Sequence, residues 1–290
     1  MQAHQRLLEQ EPGFRRAQFD LESSTRLFLR AGPRPRRTGI VRIPVVVHVV
    51  YNQARENISL RQIRTQVAVL NRDYRARNLD RDRTPAAWRG LVADTRVQFF
   101  LAKRDPRDRA TEGVTRTKTS RASFGTGDTV KSARTGGADP WPADRYLNVW
   151  VCNLGGGLLG YAQFPGGPAR TDGVVILHAA FGTTGTATAP FDLGRTATHE
   201  VGHWLNLRHI WGDTEDCSGT DYVEDTPNSG MPNYGKPTFP HVSCSNGPTG
   251  DMFMNYMDYV DDDSMCMFTA QQAARMRAAL DGPRGTIGAA

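Results

Sequence analysis

The sequence predicts an α/β fold, in which strands and helices alternate along the first part of the chain. Residues 42–50 are rich in β-branched side chains, which is typical of a buried strand. Residues 60–75 carry apolar side chains at a helical period, and Ser59 is a candidate N-cap for that helix. Residues 95–102 and 146–152 again have the pattern of strands, so that strand, helix and strand succeed one another.

The other segments are predicted from the same kinds of pattern. In chain order they are a helical region at 1–30, a basic linker with proline and glycine at 31–39, a strand at 173–178, a helix at 192–207, an irregular stretch at 210–266 and an amphipathic helix at 269–280. The exposed basic linker is either a protease target or a plain solvated connection. A chain of 290 residues is long enough for one large domain or two subdomains.

Charge and hydropathy argue against two classes of partner. The net charge is +6, but residues 1–38 hold eight arginines and four acids and so carry +4 of it. The remainder is close to neutral, so we expect no nucleic-acid surface. No apolar run approaches the roughly 18–20 residues that span a bilayer, so we expect no membrane insertion. The N-terminus lacks the apolar core of a signal peptide, which leaves a trimmed precursor or a cytosolic protein.

The four cysteines are Cys152, Cys217, Cys244 and Cys266. Cys217 and Cys244 lie in the irregular stretch, which would gain most from a covalent cross-link, and we expect a disulfide between them. Reduced thiols in a cytosolic protein are the alternative. A zinc ribbon is excluded, because no two cysteines lie two to four residues apart. The pairing state of Cys152 and Cys266 is left open.

Three glycines, Gly155, Gly157 and Gly160, formally match the dinucleotide-binding pattern GxGxxG directly after a predicted strand. Such a site also needs a helix that begins at this turn. Residues 161–168 contain two prolines and two glycines and cannot form it. We therefore interpret the glycines as a turn that leads into an exposed edge strand.

The segment 199–209 has the spacing of a metal site. His199 and His203 are separated by one helical turn, so both imidazoles can reach one Zn²⁺ at roughly 2.0–2.1 Å. Glu200 is next to the first histidine, where a carboxylate can take a proton from a water that the metal activates and pass it to a leaving amine.

His209 is the expected third ligand. If the helix continued, His209 would lie about 120° away from the histidine face, because each residue turns the helix by roughly 100°. The helix must therefore stop, and Asn206 is the expected turn, since Asn tolerates a positive φ better than other non-glycine residues. Incidental histidines on an exposed helix are the alternative, and the third histidine argues against it.

A second motif, Asn255-Tyr256-Met257-Asp258-Tyr259, follows about fifty residues downstream. With HExxHxxxxxH at 199–209, HIWGD at 209–213 and DTP at 225–227, it resembles the pappalysin family of the metzincin zinc peptidases. The resemblance covers roughly residues 40–280. It implies an α/β (α+β) metzincin-like fold, with a twisted mixed five-stranded sheet and two long helices in an N-terminal subdomain. An irregular C-terminal subdomain would hold the Met-turn and a final helix.

The resemblance also implies boundaries and roles. Residues 1–38 would be a pro-segment with its linker, 39–206 the N-terminal subdomain and 207–290 the C-terminal subdomain. Met257 would form an apolar base under the zinc ligands, although an ordinary core methionine would be physically similar. Tyr259 would stabilise the oxyanion with its hydroxyl, unless it is a buried structural tyrosine. The edge strand after Gly160 would bind an extended peptide by strand addition.

The sequence departs from the family pattern in three places. Asn206 stands where the long zinc motif usually has glycine. Lys236 and Ser264 stand where relatives tend to have cysteines, so a second disulfide is not expected. No cysteine precedes Cys152, so a pro-segment thiolate cannot be the inhibitor in this chain.

Acidic residues crowd the irregular stretch, and a hard cation with oxygen ligands would order it. They are Asp213, Glu215, Asp216, Asp221, Glu224 and Asp225. Because relatives bind calcium in this region, the resemblance points to Asp221 and Thr226 as calcium ligands. A solvated acidic loop is the alternative.

Substrate preference is predicted from the acids that follow the Met-turn, which are Asp258, Asp261, Asp262 and Asp263. In metzincins this segment forms the wall of the pocket for the side chain just after the scissile bond. A partly desolvated carboxylate there would favour Arg or Lys. Asp262 is our choice, because its offset from Met257 matches the pocket floor that the resemblance suggests. A solvated loop or a calcium site is the alternative.

Together these observations predict a secreted zinc-dependent endopeptidase, made as a zymogen, with one catalytic Zn²⁺ and a structural Ca²⁺. We expect protein or peptide substrates, no nucleic-acid or membrane partner, and a monomer. A catalytically dead metal-binding module is one alternative, and the retained Glu200 argues against it. A non-proteolytic zinc hydrolase is the other.

Overall fold

The computed structural model describes residues 2–32 and 36–288. Its helices are α1 (Gln2–Gln10), α2 (Pro12–Arg30), α3 (Leu60–Asp73), α4 (Ala86–Arg89), α5 (Arg195–Trp204) and α6 (Ala270–Asp281). Its strands are β1 (Val41–Tyr51), β2 (Val97–Leu101), β3 (Val114–Lys118), β4 (Leu147–Cys152), β5 (Gly160–Ala162), β6 (Val174–Leu177), β7 (Tyr234–Gly235) and β8 (Tyr259–Val260). Within the described ranges, no helix has both the length and the apolar character needed to cross a bilayer.

The main sheet is five strand positions wide, in the order β2, β1, β4, β6 and β5. Strand β1 pairs in parallel with β4 along one edge, and with β2 and then β3 along the other. Strand β5 runs antiparallel to β6 at the far edge. The mixed sheet is therefore confirmed. It contains one strand more than five, because β2 and β3 share a single position beside the long β1.

The core lies between the sheet and the helices α3 and α5. Alternate β1 residues from Val41 to Val49 point into it and meet Ile63 and Leu70 of α3 and Val201 of α5. The β-branched run in β1 suits this environment, because β1 is buried on both faces. Ser59 accepts a hydrogen bond from the Gln62 backbone N–H at 3.1 Å, so the predicted N-cap of α3 is present.

The chain after α5 has little regular structure until α6. Its two strands, β7 and β8, are two residues long and pair in parallel. Cys217 and Cys244 form a disulfide, with an S–S distance of 2.07 Å. Cys152 and Cys266 are buried and unpaired in the described structure. Helix α6 begins with a capping box, in which Thr269 and Gln272 satisfy each other's backbone N–H groups.

The N-terminal region forms two helices rather than one. Pro12 is at the first turn of α2, where its missing N–H costs nothing, but it cannot continue α1. Helix α2 packs on α6, and α1 lies beside β5. Residues 33–35, in the middle of the predicted linker, lie outside the described residues.

Candidate functional site

Helix α5 delivers the first three residues of the candidate site. His199 and His203 are one turn apart and buried, and Glu200 lies between them in sequence. The Nε2 atom of His209 lies 3.2 Å from that of His199 and 3.0 Å from that of His203. Within the described ranges, these three histidines are the only group of three side chains that brings metal-ligating atoms together.

After α5 the chain turns back toward His199 and His203 through a left-handed turn at Asn206, where φ is +75°. The Leu207 backbone N–H donates to the Gly202 carbonyl at 2.9 Å, which closes the last turn of the helix. The predicted helix stop is therefore confirmed. Arg275 of α6 donates its Nε–H to the Asn206 carbonyl at 2.7 Å and holds the turn from outside.

Each imidazole is oriented through its other nitrogen. The Nδ1–H groups of His199 and His203 donate to the carbonyls of Tyr256 and Leu207, at 2.7 and 2.8 Å. His209 Nδ1 contacts the Asp213 carboxylate at 2.6 Å. Because Nδ1 is engaged in all three rings, the three Nε2 lone pairs face one another.

The charge state of these rings suits a metal. Burial lowers the pKa of His199 to about 4, and it also lowers the pKa values of His203 and His209 well below the ordinary value. Neutral imidazoles are the form that ligates a metal. Three neutral nitrogens with converging lone pairs, all buried, fit one tetrahedral Zn²⁺ that keeps an open position.

Glu200 lies against the first residue of β5. A Cβ atom on Gly160 would come within 2.9 Å of the Glu200 Cγ and 3.0 Å of the Val175 carbonyl oxygen. Only glycine therefore lets the edge strand approach the carboxylate this closely. Burial raises the pKa of Glu200 to about 7, a value suited to a general base, and a cation beside it would lower that pKa.

Tyr259 comes from the loop side of the site. Its ring centre lies 4.7 Å from that of His209 and 4.8 Å from that of Trp211. Trp211 in turn stacks on His209 at 4.2 Å. Burial raises the pKa of Tyr259 above its ordinary value, so the phenol keeps its proton and can donate a hydrogen bond.

Met257 packs directly beneath α5. A Cβ atom on Gly202 would lie 2.5 Å from the Met257 sulfur, so this glycine makes room for the thioether. Met257 is fully buried, and its backbone carbonyl accepts from Ile210 N–H at 3.4 Å. The contact places Met257 between the two helical histidines and the loop that carries His209.

A cavity of about 390 Å³ opens beside the histidines and contains Asp262 in its wall. His199, Glu200 and Tyr259 also line it, so the cavity is continuous with the candidate metal site. Asp262 Oδ2 accepts from the backbone N–H groups of Leu193 and Arg195, at 2.8 and 3.1 Å. Burial raises the pKa of Asp262 to about 6, so the carboxylate is ionised at neutral pH.

The acidic residues of the irregular stretch make different contacts. Asp213 orients His209, and Asp225 accepts from Thr269 and from the backbone N–H of Gln271 at the start of α6. Asp221 is buried and accepts from the Thr226 hydroxyl at 2.6 Å. Asp221 and Thr226 thus lie together, although the described residues gather no set of three acidic side chains around them.

Two functional contacts were missed by sequence reasoning. The sequence pattern places Asp213 among the acidic residues that a cation would order. Its position four residues after His209 could instead have identified it as the partner of that imidazole. Arg195 is buried at the start of α5, where it pairs with Asp73 at 3.1 Å and Asp80 at 2.8 Å. These partners lie more than one hundred residues away in sequence, so no local pattern indicates them.

The N-terminal segment covers the site. Gln2 and His4 of α1 line a second cavity that His199, Glu200 and His203 also line. The His4 ring lies 4.4 Å from Phe164, whose ring lies 5.1 Å from His203. Helix α1 therefore lies over one side of the three histidines.

Comparisons with known proteins agree with this geometry. A family model described as Pregnancy-associated plasma protein-A matches residues 133–281. Extracellular metalloprotease 1 of Coccidioides posadasii is 44% identical over 137 residues, which is 45% of this chain and 48% of that protein. The extracellular metalloprotease of Pyricularia oryzae is 33% identical over 251 residues, 83% of this chain and 75% of that protein. The chain thus spans about half the length of the first relative.

Solved structures match over nearly the whole chain. Tannerella forsythia mature mirolysin, in complex with a cleaved peptide, has a TM-score of 0.84 and 51% identity and covers 86% of this chain and 96% of its own. A promirolysin mutant from the same organism has a TM-score of 0.88 and 46% identity. That match covers 98% of this chain and 93% of the promirolysin chain.

Proposed function

Because the chain belongs to the peptidase family described as pregnancy-associated plasma protein-A, the pappalysins, we propose that it is a zinc-dependent endopeptidase made as a zymogen. The observation that carries the proposal is the convergence of three Nε2 atoms beside a buried carboxylate. His199, His203 and His209 would hold the zinc, and Glu200 would be the general base.

The chain's own residues account for the chemistry. Zinc bound by the three histidines would supply a Lewis acid for a water and for the substrate carbonyl. Glu200 would accept the proton of the attacking water and deliver it to the leaving amine. The Tyr259 hydroxyl would donate to the oxygen on which negative charge develops. Asp213 and the carbonyls of Tyr256 and Leu207 would keep the imidazoles in the required tautomer.

Strand β5 would orient the substrate. It pairs with β6 only, among the strands described, so its outer edge offers unpaired backbone groups. A peptide that adds to this edge would lie across Gly160, directly beside Glu200. Strand addition uses backbone groups, so it suits cleavage of many protein sequences.

Asp262 would select Arg or Lys after the scissile bond. Its Oδ2 is engaged by the backbone, which fixes the side chain, and the carboxylate lines the cavity next to Glu200. An Arg guanidinium would gain about 1.5–3 kcal/mol from a charged hydrogen bond, or roughly 10- to 100-fold in rate.

The specificity test compares peptides with Arg or Leu after the scissile bond. Asp262→Ala should lose the preference for Arg, whereas Asp263→Ala, which pairs with Lys236 outside the cavity, should keep it. In the parent, the preference should weaken as the pH falls through about 6, because Asp262 then becomes neutral. An Asp262→Ala variant with undiminished preference would remove this residue from the proposal.

Latency would come from residues 1–38, ahead of subdomains at 39–206 and 207–290. The promirolysin chain covers 98% of this chain and mature mirolysin 86%, and the difference, about 35 of 290 residues, is close to the 38 residues of this segment. Helix α1 lies over the candidate site, and no cysteine is required for that.

We expect removal of this N-terminal segment by cleavage within residues 34–38. Sequencing of the active form should find a new N-terminus there, and an active form that begins at residue 1 would contradict it.

A structural Ca²⁺ would bind at Asp221 and Thr226. Burial raises the pKa of Asp221 to about 7, so its contribution to stability without metal is present at acid pH and is lost as the pH rises through 7. A cation would reverse this loss. Added calcium should therefore raise the melting temperature more at pH 8 than at pH 5. Asp221→Asn should abolish the difference, while Asp216→Asn, in the exposed part of the same loop, should preserve it.

We also propose that the protein is secreted, monomeric and active on proteins or peptides. The relatives are named extracellular metalloproteases, and the disulfide suits an oxidising compartment. The direct test is digestion of casein by the processed enzyme, with and without a chelator, followed by zinc replacement. Zinc binding without cleavage of casein would favour a metal-binding module that has no catalytic activity. Cleavage of small esters but not casein would favour another hydrolase.

A further inference from the structure

We propose that Arg208 and Arg275 form a carboxylate-binding subsite beside the cleft, which Glu22 fills until the N-terminal segment is removed. In the mature enzyme this subsite would take an acidic side chain that lies before the scissile bond. The inference rests on the proposed endopeptidase function and on the loss of residues 1–38.

Glu22 of α2 shows which chemistry the two arginines accept. Its carboxylate contacts the Arg275 guanidinium directly and lies 3.6 Å from Arg208 Nη2. Both guanidiniums also stand over the Tyr222 ring, with Cζ 5.4 Å from its centre for Arg208 and 5.5 Å for Arg275. The aromatic ring fixes both cations on one carboxylate.

Among the described residues, Glu22 is the one acid whose carboxylate lies within 4 Å of either guanidinium. The Arg275 side chain is 1% exposed and the Arg208 side chain 17%, and each forms its one ion pair with Glu22. Arg275 cannot readily turn away, because its Nε–H is bonded to the Asn206 carbonyl. Loss of residues 1–38 would remove Glu22 and leave two neighbouring guanidiniums without this carboxylate, so that another carboxylate could take its place.

The subsite lies next to the candidate catalytic residues. Arg208 directly precedes His209, and its Cζ lies 5.4 Å from the centre of the Phe164 ring. Phe164 lies two residues beyond β5, and its ring centre is 5.1 Å from that of His203. The removal of α1, which packs on Phe164 through His4, would open this corner to solvent.

The direction of β5 places the subsite before the scissile bond. The cavity that contains Asp262 is lined by residues 157–160, at the start of β5, and would take the side chain after the bond. Arg208 lies beyond the other end of the strand. A peptide antiparallel to β5 would bring its preceding residues there. Phe164, which Arg208 contacts, is four residues beyond Gly160, so the acidic side chain would be two to four positions before the bond.

The test uses processed enzyme, obtained by activation of the full chain, on peptides with Arg after the scissile bond. Glu and Gln are compared at each of the second, third and fourth positions before the bond. We expect Glu to raise kcat/KM about 5- to 10-fold at one position, and less at high salt. Arg208→Gln should erase the advantage. Arg64→Gln, an exposed arginine on α3, should retain it.

A second measurement needs no turnover. A labelled peptide of residues 2–32 should bind the processed protein about 5- to 10-fold more weakly when it carries Glu22→Gln, and Arg208→Gln protein should bind both peptides equally. Equal kcat/KM for Glu and Gln at all three positions would overturn the substrate subsite. Equal binding of both peptides to the parent protein would overturn the carboxylate site itself. If zinc-loaded processed enzyme cleaves no peptide, the proposed function fails, while the binding experiment still decides the site.

Discussion

The two sides of the candidate metal site are built in different ways. On one side, His199, Glu200 and His203 lie on α5, which packs on the sheet within the main core. On the other side, His209, Met257 and Tyr259 lie in loops with almost no regular secondary structure. The helix side is held by backbone hydrogen bonds and apolar burial. The side chains on the loop side must be held in position by other interactions.

Buried carboxylates are one of those means. Asp258 accepts from the backbone and side-chain N–H groups of Asn233, both at 2.8 Å, and from the backbone of Tyr259 at 2.8 Å. Asp251 accepts from the side chains of Ser243 and Asn246, both at 2.6 Å. Each buried acid thus ties together loop segments that no strand or helix connects. Polar networks and one disulfide replace secondary structure here.

The largest effect should come from the ligand that the loop side supplies. His209→Ala should lose zinc and reduce kcat/KM by more than about 100-fold, because loss of a hydrogen-bond partner of a ligand alone costs about 10- to 100-fold. His203→Ala should do the same from the helix side. Zinc content and peptide cleavage are measured together. A His209→Ala protein with full zinc and normal activity would show that the loop does not complete the site.

The disulfide should contribute mainly to the loop side. Its 27-residue separation predicts about 3.5 kcal/mol, so Cys217→Ser with Cys244→Ser should lower the free energy of unfolding by about that amount. Amide exchange should accelerate within residues 210–266 and stay unchanged in α5. Faster exchange in α5 than in the loops would show that the two sides are not stabilised separately.

On the helix side, an added methyl group should lower the stability of the protein. Gly202→Ala places a methyl group 2.5 Å from the Met257 sulfur, and the resulting shift should cost about 1–3 kcal/mol. Gly90→Ala is the matched control, because nothing lies within 4 Å of its added Cβ, and it should change stability by under about 0.5 kcal/mol. Chemical denaturation measures both variants. Equal stabilities would show that the contact beneath the helix is loose.

The smallest effect concerns Lys236 and Ser264, at which the family resemblance implies a cross-link that this chain lacks. Lys236 pairs with Asp263, next to Ser264, with the Lys236 side chain 62% exposed and the Asp263 side chain 39% exposed. Exposed ion pairs often contribute nothing measurable. Lys236→Ala should therefore leave the melting temperature nearly unchanged at any salt concentration. A large, salt-sensitive drop would mean that this pair replaces the missing cross-link.

The same contrast explains what could be predicted from the sequence. The helices around Ile63 and His199 and the strand through Val45 follow from periodicity, because local pattern and burial agree there. The turn at Asn206 followed from the histidine spacing alone. Three roles did not follow from the sequence, because each depends on a partner that is brought close only by folding of the loops and distant helices. They are the roles of Asp213, Asp251 and Arg195. Strand β3 was missed because its residues, Val114–Lys118, are mostly polar.

Both sides of the site meet at Glu200, which we propose as the general base at a zinc site formed by the three histidines. The most direct measurement is kcat/KM of processed Glu200→Gln enzyme, with zinc content matched to the parent and Glu215→Gln, an exposed glutamate, as the control. We expect a loss of about 10²- to 10⁴-fold for Glu200→Gln and none for the control. A zinc-loaded Glu200→Gln enzyme that retained about a tenth of the parent's activity would contradict it.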